Sequence, residues 1–345
     1  MQLSTLRSIY DSTGPFSTVY LEGRSPAEDA EQQVRLRWDD LKGRLEQAGA
    51  SEAAVEALEN VVIVEDITEV QTDGRVLVAN DSGVLLNEPW DAALGAGDAA
   101  HVSDQPELGD YLRLRAQSVS MLVAIADQQG AVVREVIGSP RHDPAEDSEE
   151  TLTGATDEPV HKPRGGALSH KQIQRRADEL VKQNAKDIAD RLETLSKKQD
   201  PDVLVLAGEV QGRTALREEL PTALIEILRD VDSGGVQDDG AEQALAEELQ
   251  AVAGSVAAER ARETAERLEY SMAHNLAVEG AERVARAAEM GAIESVVLHQ
   301  LNSVDNEAAL LAAAAQIDSA VELTTSEIDG DIAAILRFEA PQELS

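Results

Sequence analysis

Residues 169–207, SHKQIQRRADELVKQNAKDIADRLETLSKKQDPDVLVLA, decide the fold class of this 345-residue chain. Residues 202–207, DVLVLA, contain a continuous apolar run from Val203 to Ala207, which is typical of a central strand in a parallel or mixed sheet flanked by helices. The residues before the run predict a long amphipathic helix, because apolar side chains recur at helical spacing: Ile173, Ala177, Leu180, Ala185, Ile188 and Leu192. The segment therefore predicts an α/β fold.

The same segment lies in the one basic region of an acidic chain. The whole chain has 30 Lys and Arg against 66 Asp and Glu, a net charge of −36. Residues 161–198 hold ten bases against five acids, so this region carries +5 and the remainder carries −41. Six of the seven lysines lie in it, Lys42 being the exception. This concentration favours a site for a phosphate backbone. The alternative interpretation is an exposed helix whose charges form i,i+4 pairs.

Composition limits the classes of protein. A hydrophobic fraction of 42% predicts folded domains, while 2% aromatic residues leave too few side chains for a wide base-stacking surface. With no Cys there is no disulfide, no thiolate nucleophile and no Cys-based zinc site. No apolar run approaches the roughly 18 residues of a membrane span, and the first residues lack the apolar core of a signal peptide. We therefore expect a soluble, cytoplasmic protein without a membrane partner.

The periodicity predicts three α/β domains, at residues 1–117, 118–255 and 256–345. The first has a strand at 16–21, helices at 27–48 and 51–60, and a hairpin at 75–86, with Trp38 in the core and a glycine-rich linker at 94–100. The second has a hairpin at 121–137, an exposed connection at 138–159, the basic region and a mixed sheet with a glycine loop. A long acidic helix from 241 to about 270 leads into the third, which has helices at 278–290 and 307–316 and strands at 293–298, 321–324 and 330–338. We expect the third domain to be a small α/β/α sandwich.

Several short segments resemble, in order, the middle and C-terminal domains of the class I release factor and Pelota family. They are PRGGA at 163–167, QRR at 174–176, VLVLAG at 203–208, AAEMGAIE at 287–294 and DIAAILRF at 331–338. The segments GPFSTVYL at 14–21 and VHKP at 160–163 look like the bacterial and archaeal release-factor-like group. That group includes Balon-type ribosome hibernation factors and is related to Vms1-type peptidyl-tRNA hydrolases. The first domain has no codon-reading loop of the release-factor type.

One departure from the family pattern bears on mechanism. In release factors a Gln after the glycine pair positions water at the ester bond of peptidyl-tRNA. Here Gly165 and Gly166 are present but the next residue is Ala167, whose side chain has no hydrogen-bonding group. Gln172 and Gln174 are the remaining catalytic candidates, and they lie where the chain is already expected to be helical. The resemblance thus implies a protein that occupies the site without hydrolysis.

Other enzyme classes find little support. The six His residues are scattered, without a His-Glu-x-x-His spacing, and no phosphate-binding Gly-x-x-x-x-Gly-Lys-Ser/Thr loop is present. We expect no metal and no cofactor.

The resemblance implies a factor that binds the ribosomal A site, with an elongation-factor-Tu-type GTPase and tRNA as further partners. It implies that ribosomal RNA near the peptidyl transferase centre is contacted by residues of the basic region: His161, Lys162, Arg164, Gly165, Gly166, His170, Lys171, Arg175 and Arg176. The favoured role is ribosome hibernation or stress protection. A Vms1-type peptidyl-tRNA hydrolase acting in ribosome rescue stays open as an alternative. So does an acidic adaptor whose basic region binds a protein.

The acid excess also predicts a halophilic protein. At about 1 M salt the Debye length falls to about 3 Å, so repulsion among the carboxylates is screened. We expect the unfolding temperature, followed by circular dichroism, to rise steadily between about 0.1 M and about 1 M KCl. An unfolding temperature that is independent of salt would contradict this interpretation.

Overall fold

The computed structural model describes residues 1–22, 30–65, 74–89, 97–127, 129–140, 142–153, 170–233 and 239–340. The chain is mixed α/β, as the sequence predicts. Its strands are β1 (Phe16–Leu21), β2 (Arg75–Asn80), β3 (Gly83–Pro89), β4 (Ala99–Ser103), β5 (Val119–Ala126), β6 (Gly130–Ser139), β7 (His142–Thr153), β8 (Val203–Gly208), β9 (Leu228–Asp230), β10 (Ala277–Glu279), β11 (Ile293–His299), β12 (Ala320–Thr324) and β13 (Ile332–Leu336).

The α-helices lie between these strands. They are α1 (Arg7–Tyr10), α2 (Ala30–Gln47), α3 (Glu52–Glu59), α4 (Gly109–Gln117), α5 (His170–Gln199), α6 (Val210–Glu219), α7 (Thr222–Glu226), α8 (Asp239–Ala273), α9 (Ala281–Glu289) and α10 (Glu307–Ala315). A π-helical stretch, Asn60–Glu65, follows α3, and short 3-10 turns occur at Leu3–Leu6 and Asp329–Asp331. None of the helices in the described ranges combines the length and the hydropathy needed to cross a membrane.

The chain divides into two compact units. One holds Met1–Gln117 together with Ala258–Ser345, and the other holds Ser118–Ala257. The boundary between Ala257 and Ala258 falls inside the continuous helix α8. The division into three domains that the sequence suggests stays a prediction.

The unit Ser118–Ala257 is built on a five-stranded sheet of order β7-β6-β5-β8-β9. Strands β5 and β6 form the predicted antiparallel hairpin, and β8 is the predicted central strand, parallel to both β5 and β9. Helices α5 and α6 cover one face through Ile188, Leu192 and Leu216. Helix α8 covers the other face through Leu245 and Leu249. The sheet is therefore buried on both sides, which explains the unbroken apolar run of β8.

Strand β7 corrects the predicted exposed connection at 138–159. Its residues pair antiparallel with β6, for example Thr151 with Val132 and Ser148 with Glu135. A sequence rich in Asp, Glu and Ser has a low intrinsic strand propensity, but the free edge of β6 offers a row of backbone partners. Pairing with that edge decides the conformation. Residues 154–159 lie outside the described part of the chain.

The other unit carries two four-stranded sheets, of order β3-β2-β1-β4 and β10-β13-β11-β12. Trp38 is fully buried against the first sheet, so its predicted core role is confirmed. The glycine-rich segment at 94–100 ends in β4, which pairs with β1 and was missed because its residues are small and polar. Residues 90–96 lie outside the described ranges.

The C-terminal sheet has the strand order β10-β13-β11-β12. Strand β12 is the edge, and β13 lies between β10 and β11. The predicted buried strand at 330–338 is too long, because β13 ends at Leu336 and Phe338 is exposed. Gly291 ends α9 as predicted: its φ is +66°, its N–H donates to Ala288 O, and the next N–H donates to Ala287 O.

Two glycines of the unit Ser118–Ala257 differ in the space around them, and substituting each by Ala tests the fold of this unit. Gly208 has a φ of +98°, and a Cβ there would lie 2.3 Å from the carbonyl oxygen of Ala126. Gly254 lies in α8, and a Cβ there would meet no atom within 4 Å. We expect Gly208→Ala to destabilise the protein by about 3 kcal/mol through strain and overlap. We expect Gly254→Ala to stabilise it by about 0.5–1 kcal/mol through helix propensity.

The measurement is the urea midpoint of each variant at constant salt. Equal midpoints for Gly208→Ala and the unmodified protein would contradict the close approach of β8 to the end of β5.

Candidate nucleic-acid interface

The basic region lies between β7 and β8 in the chain. Residues 154–169 are outside the described part, so the structure gives no account of His161, Lys162, Arg164, Gly165, Gly166 or Ala167. What it describes is the scaffold on either side of them: β7, which ends at Thr153, and α5, which begins at His170.

Four of the predicted RNA-contacting residues lie in the first two turns of α5: His170, Lys171, Arg175 and Arg176. Gln172 and Gln174 are in the same turns, within regular helix as expected. The side chains of all six are outside the described part. Helical spacing places positions 171, 175 and 182 on one stripe, and the side chain of Lys182 is 72% exposed. The stripe therefore reaches solvent where the structure describes it.

Apolar packing and one buried amide hold α5 in place. Ile188, Leu192 and Leu195 are buried against the sheet. Asn184 is also buried on this side, and its Nδ2 donates to the carbonyl oxygen of Gln129, in the turn between β5 and β6, at 3.3 Å. A polar group within an apolar face has few positions where it is satisfied, so it helps to fix the rotation of the helix.

Charge is divided unevenly along the basic region. Residues 161–176 hold five bases and no acid, whereas residues 177–198 hold five bases and five acids. In the described second half, Lys182 Nζ lies 3.5 Å from Glu219, and Lys197 Nζ lies 2.6 Å from Glu193. The whole +5 excess thus comes from the loop and the first turns of α5. In the described second half, the pair Lys197–Glu193 has the i,i+4 spacing of the alternative interpretation.

The C-terminal segment carries a second notable surface, which the sequence did not indicate. Tyr270 is 61% exposed and stacks on His274 with ring centroids 4.0 Å apart, while Phe338 is 48% exposed. The Arg337 N–H donates to Ala292 O, and the Ala340 N–H donates to Asn275 O. These two bonds hold the backbone on either side of Phe338. Met290, which is also exposed, lies two residues before Ala292. In a chain with two Trp, four Tyr and two Phe, Tyr270 and Phe338 are aromatic side chains with large exposed fractions.

Within the described ranges, no group of three or more His, Asp or Glu side chains could hold a metal ion. His101 is in β4, His274 follows α8 and His299 ends β11, so the three stand at separate positions of the folded unit.

Comparison with known proteins gives the following. The profile of bacterial archaeo-eukaryotic release factor family 2 matches residues 120–274, which run from β5 to the end of α8. A Mycobacterium tuberculosis protein (strain ATCC 25618 / H37Rv), Uncharacterized protein Rv2629, is 29% identical over 224 residues, 64% of this chain. The match covers 57% of that relative's length.

Two solved structures align with nearly the whole chain, and both have TM-scores below 0.5. One, described as a model of ribosome-bound archaeal Pelota and ABCE1, is 13% identical with a TM-score of 0.43 and covers 98% of this chain and 95% of its own. The archaeal translation termination factor aRF1 is 18% identical with a TM-score of 0.24 and covers 97% of this chain and 96% of its own.

The strand hairpin, the crossover helix with its arginine pair and the buried VLVLAG strand coincide with the segment that the family profile matches. Over residues 120–274, the chain is similar to bacterial archaeo-eukaryotic release factor family 2, in agreement with the release-factor resemblance of the sequence.

Proposed function

We propose that this protein is a translation factor that binds the ribosomal A site and protects idle ribosomes, without hydrolysing peptidyl-tRNA. One observation carries the proposal. Residues 161–176 keep the glycine pair and all of the cationic excess of the basic region, while the position of the catalytic Gln is Ala167. The loop is suited to approach RNA but lacks the group that would orient water.

Binding to RNA by such a segment is mainly electrostatic. Phosphate contacts by Lys and Arg release condensed counterions, and single-stranded RNA gives a slope of about −0.7 in log K against log salt for each contact. Five cations would therefore give a slope of about −3.5. The rest of the chain carries a net charge of −41, which opposes contact with RNA, so we place the contact in this segment. High salt screens the repulsion at long range more than it weakens close contacts.

The exposed C-terminal surface supports the second partner that we propose, a GTPase of the elongation factor Tu type. Tyr270, Met290 and Phe338 are of the residue types that are enriched at protein interfaces. Their exposure near one end of the C-terminal sheet leaves apolar area that folding alone does not bury. A partner surface would cover it.

The RNA contact is tested by reversing charges at two ends of one helix. We expect Arg175→Glu together with Arg176→Glu to lower the affinity for ribosomes at least tenfold in a co-sedimentation assay at high salt. The matched control is Lys197→Glu together with Lys198→Glu, the same change in charge at exposed positions of α5. We expect the control to bind nearly as the unmodified protein does. Equal losses for the two pairs, or no binding by the unmodified protein, would reject the RNA site and favour the adaptor.

The catalytic assignment is tested at Ala167. We expect the unmodified protein to release no peptide from ribosome-bound peptidyl-tRNA, and Ala167→Gln to create release above background, because an amide would then be available to orient water. The readout is liberated radiolabelled peptide, with Ala167→Asn as the control of shorter reach. Release by the unmodified protein that is lost in Gln172→Ala or Gln174→Ala would establish the hydrolase instead.

A further inference from the structure

The loop that follows β11, residues 300–306, is held by a buried ion pair. Arg113 of α4 and Glu307 of α10 are both buried, and their side chains meet in a bidentate pair, with Nη1 to Oε1 at 2.6 Å and Nη2 to Oε2 at 3.1 Å. The site leaves no room for a side chain at Gly109, where a Cβ would lie 2.5 Å from Glu307 Oε1. The pair is thus closely enclosed.

The remaining hydrogen bonds of this pair are made to the loop. Arg113 Nε donates to His299 O at 3.1 Å, and its Nη2 donates to Asn302 O. The carboxylate of Glu307 accepts from the Val304 N–H at 3.0 Å. One buried arginine and one buried carboxylate therefore fix the backbone at three points.

Further bonds complete the restraint. The Gln300 N–H donates to Thr324 O at 2.9 Å, and its Nε2 donates to Gln117 Oε1 at 2.9 Å. Asn302 Nδ2 donates to Asp331 Oδ1 at 2.8 Å. Burying an ion pair is costly unless its hydrogen bonds are satisfied, and apolar residues of similar volume serve stability equally well. A pair whose bonds go to a surface loop thus suggests that the geometry of the loop is what matters.

The loop presents one large apolar side chain to solvent. Leu301 is 65% exposed. Its backbone N–H donates to His299 Nδ1 at 3.3 Å, which restrains the backbone at this residue. A single exposed leucine is common on protein surfaces. Here the backbone of the loop is already fixed on both sides of the leucine. The residue therefore loses little conformational entropy when it enters a partner's pocket.

The surroundings of Leu301 are acidic. Asp305 lies in the loop, and Asp331, which is bonded to Asn302, ends the 3-10 turn Asp329–Asp331. Glu327 lies two residues before that turn. Neither 299–307 nor 325–331 contains a Lys or Arg. RNA phosphates would be repelled here, and so would a second copy of a chain with a net charge of −36. The matching surface is a protein with an apolar pocket and a basic rim.

We propose that the loop 300–306 is a preformed docking element whose anchor, Leu301, enters an apolar pocket with a basic rim on a ribosomal protein. The inference rests on the proposed function, since it assumes that the ribosome is the partner. It adds a protein contact made by the unit that contains α4 and α10, separate from the RNA contact of the basic region.

The test compares two equally exposed leucines. Leu301→Lys places a cation against the basic rim, and we expect it to reduce the affinity for purified ribosomes about tenfold or more, as truncation of an interface anchor does. Leu301→Met keeps an apolar side chain and should retain most of the affinity. The matched control, Leu36→Lys, changes a leucine of α2 that is 62% exposed and should leave binding unchanged. Thermal unfolding of each variant checks that the fold is intact.

A photo-crosslinker identifies the class of partner. With p-benzoylphenylalanine at position 301, we expect a cross-link to a ribosomal protein, and none with the same group at position 36. Cross-linking to ribosomal RNA, or to a second copy of this chain, would overturn the assignment. If the unmodified protein binds ribosomes and Leu301→Lys binds equally well, the docking element fails while the proposed function stands. If the unmodified protein does not bind ribosomes, both fail.

Discussion

The parallel pairing of β5 with β8 is the constraint on which the unit Ser118–Ala257 depends. Parallel neighbours cannot be joined by a tight turn, so the chain must cross the sheet between them, and α5 is that crossover. The pairing requires close approach at its end, where Gly208 and Gly212 come against the backbone of Ala126 and Asp127. A Cβ at either glycine would overlap these atoms.

This arrangement explains how one helix serves two purposes. Its buried side, with Ile188 and Leu192, contributes to the core, and Asn184 limits its rotation. By sequence, its charge changes along its length, from five cations and no acid in residues 161–176 to five cations and five acids in residues 177–198. In the second stretch Lys182 pairs with Glu219 of α6 and Lys197 pairs with Glu193. The rigid, balanced half supports the cationic half.

The other unit uses buried charge differently. The pair Arg113–Glu307 joins α4, in the first third of the sequence, to α10, near its end, and it restrains a loop rather than a helix or strand. Residues of both chain segments also share one apolar core, including Leu3, Tyr111 and Val296. Residues 1–117 and 258–345 therefore depend on one another for burial. Local patterns in the sequence give no information on this dependence.

Local pattern in the sequence was sufficient for much of this protein. The apolar run of β8, the hairpin β5–β6, the long helices α5 and α8, the cap at Gly291 and the release-factor resemblance all follow from periodicity, turn residues and short motifs. Tertiary structure alone decided the rest. Strand β7 forms because β6 has a free edge, β4 forms because β1 has one, and Phe338 is exposed because its strand ends at Leu336. The ion pair Arg113–Glu307 joins residues 194 positions apart in the chain, and the bond from Asn302 to Asp331 spans 29 positions. Such contacts form only where the folded chain brings distant segments together. The spacing of residues along the sequence does not indicate which segments meet.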